Sequence, residues 1–107
     1  MTKRVINQVR DYLTVISEDR VYQIVNVEML KRHPPDAVVG FLALLRADYK
    51  KELRELLKEN RTSPRINQLV VLNFRLKMAI STIRNAKREE VQGGERDEIE
   101  PRAAGSG

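Results

Sequence analysis

Cysteine and tryptophan are absent from this chain, and histidine occurs once. Without cysteine there can be no disulfide, no thiolate metal ligand and no cysteine nucleophile, and the composition points to a reducing, cytoplasmic setting. The single histidine, His33 in KRHPPD, has no companion at triad or metal-ligand spacing and reads as a solvated or capping group at a helix end. Glycine-rich phosphate loops are missing too. Gly93 and Gly94 follow no strand, and the isolated Gly40 is expected to let two helices approach closely.

No run of about 18 apolar residues occurs, and the N-terminal MTKRVINQVRDY has no unbroken hydrophobic segment, so neither a membrane span nor a secretory signal is expected. These absences remove most enzymatic readings. No catalytic residue, metal site or cofactor is expected.

What remains is a chain of 107 residues, 41% apolar and 33% charged, enough for one folded domain. Its net charge of +5 is unevenly spread. Residues 1–91 hold 18 basic and 11 acidic side chains, and residues 92–107 hold 2 and 4. The first span reads as the helical domain. The second, QGGERDEIEPRAAGSG, combines glycine, proline and charge and reads as a flexible polar tail.

Apolar periodicity supplies the fold class. Val5, Val9, Tyr12, Leu13 and Ile16 recur at spacings of three and four, which predicts an amphipathic helix over 4–17. Ser17 with Glu18 and Asp19 resembles a helix start, so a second helix is expected to reach Arg32, although VYQIVNV also fits a strand. Pro34, Pro35 and Asp36 open a third helix that ends near Asn60, with AVVGFLALL (37–45) expected to be buried all round. Ser63 and Pro64 start a fourth, running to about Val91. One of its faces carries Leu69, Leu72, Leu76, Ala79, Ile80 and Ile83, and a second carries Val71, Phe74 and Met78. Two apolar faces predict two packing neighbours. The expected architecture is all-α, a compact antiparallel bundle of four or five helices.

Charge gives the functional expectation. On the third helix Arg46, Lys50, Arg54 and Lys58 lie along one edge and Asp48, Glu52, Glu55 and Glu59 along the other, a pattern that local pairing can neutralise. A metal held by that carboxylate row is an outside alternative. The next segment lacks any acid: Arg61, Arg65, Arg75, Lys77, Arg84, Lys87 and Arg88 occur without one aspartate or glutamate among them. Lys77, Arg84 and Arg88 share a narrow arc of the helix. With Arg61, Arg65, Arg75, Arg54 and Lys58 they are expected to form a positive surface around the hairpin. Such a surface suits phosphate, because arginine presents a fork of donors and each neutralised phosphate releases counterions.

The leading expectation is therefore a non-catalytic module that holds DNA or RNA backbone within a larger nucleoprotein complex. Small helical subunits of RNA-guided defence effectors and of phage or plasmid DNA-handling assemblies share this size, helicity and charge, an analogy of class without matched residues. Aromatic interleaving is thin, since Tyr49 and Phe74 are expected in the core, so base stacking is not part of the reading. The alternative is a protein–protein adapter or oligomerisation domain. There Val71, Phe74 and Met78 form the interface while the basic arc steers an acidic partner. A membrane-surface role ranks last, because the apolar faces are needed to close the bundle.

Overall fold

A computed structural model describes residues 2–19 and 27–99 of the chain, and side chains within 2–19 and 30–89. Four helices account for nearly all of them: α1 (Lys3–Asp19), α2 (Val27–Arg32), α3 (Pro35–Glu59) and α4 (Arg65–Ile99). No strand occurs among the described residues. The competing VYQIVNV strand falls mostly at 20–26, outside them.

Each long helix begins where local chemistry supplies a start. Thr2 Oγ1 accepts from the Val5 amide at 3.2 Å, capping α1. Pro34 stands at the N-cap of α3 with no side-chain bond, and Pro35 and Asp36 follow it in the first turn. Ser63 Oγ accepts from the Arg65 amide at 3.2 Å, so the expected serine–proline start of α4 is formed. At the end of α3 the Asn60 amide donates to the Leu56 carbonyl at 2.7 Å, and Arg61 Nε donates to the Leu57 carbonyl at 3.0 Å. These bonds satisfy carbonyls that a helix end leaves open.

α4 is the central element and packs against both α3 and α1. Ion pairs from Arg65, at the start of α4, to Glu52 and from Lys87, further along it, to Asp36 tie α4 to α3 in antiparallel register. Contacts of Arg65 with Asp19 and of Arg75 with the Asp11 carbonyl set α1 antiparallel to α4 as well. The core is one cluster. Ile6, Val9, Leu13 and Ile16 of α1 and Leu30 of α2 meet Val38, Val39, Leu42, Leu45 and Tyr49 of α3 and the Leu69–Ile83 line of α4. No polar or charged residue is buried in it.

Several expectations are corrected here. Ser17, Glu18 and Asp19 do not start a second helix; they form the last turn of α1. A carboxylate there opposes the negative helix end, and Arg65 offsets it. The segment 37–45 is buried on one side alone: Val38, Val39, Leu42 and Leu45 face inward, whereas Phe41 is exposed and Leu44 is 71% exposed. Gly40 mediates no close approach, since a Cβ built on it meets nothing within 4 Å. Phe74 lies outside the core at 58% exposure. α4 reaches two neighbours with its Leu69–Ile83 face alone and leaves the second apolar face to solvent. It also runs to Ile99, past the expected end at Val91 and through Gly93–Gly94, because the following ERDEI is made mostly of good helix formers. Residues 100–107 of the expected tail lie outside the described residues.

Candidate functional site

The eight cations expected to form one surface divide into three groups. Arg65 is turned inward. Its Nη1 and Nη2 donate to the two carboxylate oxygens of Asp19 at 2.5 and 3.1 Å, and its Nε donates to Glu52 Oε2 at 2.8 Å. Tyr49 OH donates to Asp19 Oδ2 at 2.8 Å, and the guanidinium carbon stands 6.0 Å from the centre of the Tyr49 ring. Hydrogen bonds first with Asp19 and then with Glu52 hold this guanidinium still further above its ordinary range. Arg65 is thus a clamp joining α1, α3 and α4, and it is withdrawn from any phosphate surface.

Arg75 and Arg61 form the second group. Arg75 is half-buried and its Nη1 donates to the Asp11 carbonyl at 3.2 Å, on the α1 side of α4. Arg61 stays exposed while bonding back to α3. The third group, Lys77, Arg84 and Arg88 on α4 with Arg54 and Lys58 on α3, is exposed, and among the described residues none of these forms an ion pair. A single positive surface therefore does not form from all eight.

Pairing follows tertiary contacts. Two cations of the acid-free stretch find carboxylates on other helices: Arg65 on Asp19 and Glu52, Lys87 on Asp36 at 2.6 Å. The local pairs expected along α3 are not formed among the described residues, as suits exposed pairs whose attraction in water scarcely exceeds the entropy lost in fixing them. Arg46, placed by its spacing on the outer basic edge, has its Nε buried.

Beside the free cations lies an apolar patch. Val70 and Val71 are 52% and 48% exposed, next to Phe74, and Met78 is half-buried. Tyr12, Val70, Val71, Phe74 and Arg75 line a furrow of about 400 Å³ along α1 and α4. Val71 also borders a second furrow of about 460 Å³, closed by Val15, Glu18 and Asn67. The patch and the arc of Lys77, Arg84 and Arg88 occupy the outer face of α4. α3 has its own outer apolar pair, Phe41 and Leu44, followed along the helix by Asp48, Glu55 and Glu59.

Sequence reasoning missed Val70, Phe41 and Leu44 as exposed residues. Their spacing carried the signal. Phe41 and Leu44 fall to one side of the Val38–Leu42–Leu45 line, a distinction that a uniformly apolar run obscures. Nothing near Arg65 in sequence identified its partners, since Asp19 is 46 positions away.

Among the described residues there is no group of three or more His, Asp or Glu side chains able to hold a metal ion. None of their helices is long and apolar enough to cross a membrane. No protein-family model, no curated protein and no solved structure matches this chain.

Proposed function

We propose that this chain is a non-catalytic helical interaction module whose binding surface is the outer face of α4. The observation that carries the reading is the exposed patch of Val70, Val71 and Phe74 beside the free cations Lys77, Arg84 and Arg88. Exposed apolar side chains gathered in one place mark a surface meant to be covered, and each Å² covered is worth roughly 25 cal/mol. The cations beside them select what covers it. A helix with an apolar line and neighbouring carboxylates satisfies both, and long-range attraction would speed its encounter. Replacing Phe74 with aspartate should abolish association measured by mass in solution, with helicity unchanged by circular dichroism. Unchanged association in Phe74→Asp would sink the reading.

Nucleic-acid backbone is the second reading, favoured by the five exposed cations Arg54, Lys58, Lys77, Arg84 and Arg88 and by the lack of any acid from 61 to 88. It predicts anisotropy-measured affinity for an oligonucleotide that falls with salt, at a log-log slope of roughly 3 to 4 for four phosphates. Phe74→Asp should leave that binding intact, whereas Lys77→Glu with Arg84→Glu should remove it. The two readings thus separate at Phe74.

A further inference from the structure

The outer faces of α3 and α4 carry the same spacing with opposite charge. Phe41, Asp48, Glu55 and Glu59 follow one another on α3 at steps of seven, seven and four; Val70, Lys77, Arg84 and Arg88 follow on α4 at the same steps. All eight side chains are exposed. Each set spans an arc of only about 40° at 100° per residue and about 27 Å of helix at 1.5 Å per residue. Laid parallel, the helices bring apolar against apolar once and acid against base three times.

We infer that the partner of the α4 face is the α3 face of a second copy of this chain, docked parallel so that Phe41 meets Val70, Asp48 meets Lys77, Glu55 meets Arg84 and Glu59 meets Arg88. The inference rests on the interaction-module reading and names its partner. Leu44 and Phe74, each about one turn further on, enlarge the apolar end of the contact. Charge complementarity argues for this occupant over an α4–α4 pairing, which would set two acid-free basic faces against each other. Because α3 and α4 run antiparallel within one chain, the second copy is inverted end for end. Each copy offers one acidic line on α3 and one basic line on α4, so the contact is heterologous and builds an open array of alternately inverted copies when repeated.

The test is a charge swap on the full chain, read by light-scattering mass across a concentration series at low and raised salt. Wild type should exceed the monomer mass as concentration rises and return toward it with salt. One variant carries Arg84→Glu and Arg88→Glu, and another carries Glu55→Lys and Glu59→Lys; each alone should remain monomeric where wild type associates. Mixed in equal amounts, the two should regain the wild-type mass, because every contact is again acid against base. A wild type that stays monomeric at low salt overturns the inference. So do reversed variants that associate as wild type does, or a mixture that fails to recover. Loss on Phe74→Asp without loss on Glu55→Lys and Glu59→Lys keeps α4 as the binding face and overturns the α3 face of the second copy as its partner. Indifference to Phe74→Asp overturns both.

Discussion

The two long helices are alike on the inside and unlike on the outside. Inward, each offers a leucine-rich line to one common core: Leu42 and Leu45 from α3, Leu69, Leu72 and Leu76 from α4. Outward, α3 mixes its charges, with Asp48, Glu55 and Glu59 in line with Phe41 and the exposed cations Lys51, Arg54 and Lys58 beside them, whereas α4 presents Val70, Val71 and Phe74 with cations and no acid as far as Arg88. Burial accounts for the inner similarity, whereas nothing in the fold itself calls for the outer difference. The outer faces are therefore where function is to be sought, and substitutions there should behave unlike those within.

The largest effect tests that separation directly. Leu76→Ala and Leu42→Ala each remove a fully buried side chain and should cost about 2–5 kcal/mol in urea unfolding. Phe74→Ala and Leu44→Ala, on the outer faces, should stay within about 0.5 kcal/mol. If Phe74→Ala costs as much as Leu76→Ala, the outer face of α4 is part of the core after all.

Next in size is the clamp that ties the helices together. Arg65→Ala removes the guanidinium from the Asp19 carboxylate, 19% exposed, at the negative end of α1. A loss of about 1–3 kcal/mol is expected, discounted for the partial exposure of the pair. With its folded-state pKa raised, the guanidinium contributes in full below arginine's ordinary pKa and loses that contribution only as pH rises through the higher folded value. The arginine's share of stability should hence be level across neutral and mildly alkaline pH. A wild type and an Arg65→Ala variant of equal stability would show the clamp to be ornamental.

How much of this could be read from residues alone follows from the range of each interaction. Helix starts at Pro35 and Ser63 were legible because caps act over two or three positions, and the Leu69–Ile83 face was legible because one helix turn repeats it. The end of α1 was not. Ser17, Glu18 and Asp19 satisfy a local start rule, and the contact that lets them close a helix instead comes from Arg65. The acid-free stretch was legible in part for the same reason: Arg65 and Lys87 find Asp19, Glu52 and Asp36 across the fold, whereas Lys77, Arg84 and Arg88 form no ion pair among the described residues. Phe74 was legible as apolar, but whether an apolar face is covered depends on how many neighbours a helix has.

Gly40 sharpens the account of the outer side of α3. Its position is open, within a helix, so Gly40→Ala adds a methyl group that meets nothing and removes freedom from the unfolded chain. The melting midpoint should rise, by about 0.5–1 kcal/mol of added stability. A destabilised Gly40→Ala would mean that another surface packs against this turn.

The smallest effect concerns the second tie between the helices. Lys87 and Asp36 approach to 2.6 Å, as close as the Arg65 pairs, yet their side chains are 48% and 77% exposed against 27% and 19% for Arg65 and Asp19. Distance alone would rank the two ties together; exposure ranks them apart, because water screens the outer pair and both long side chains lose freedom in forming it. A double-mutant cycle with Asp36→Asn and Lys87→Met should give a coupling of about 0.2–0.5 kcal/mol that vanishes at high salt. The matching cycle on Asp19 and Arg65 should give a larger coupling that salt reduces only in part. Equal couplings, or equal salt sensitivity, would make contact distance the controlling quantity and remove the distinction between the inner and outer ties of α4.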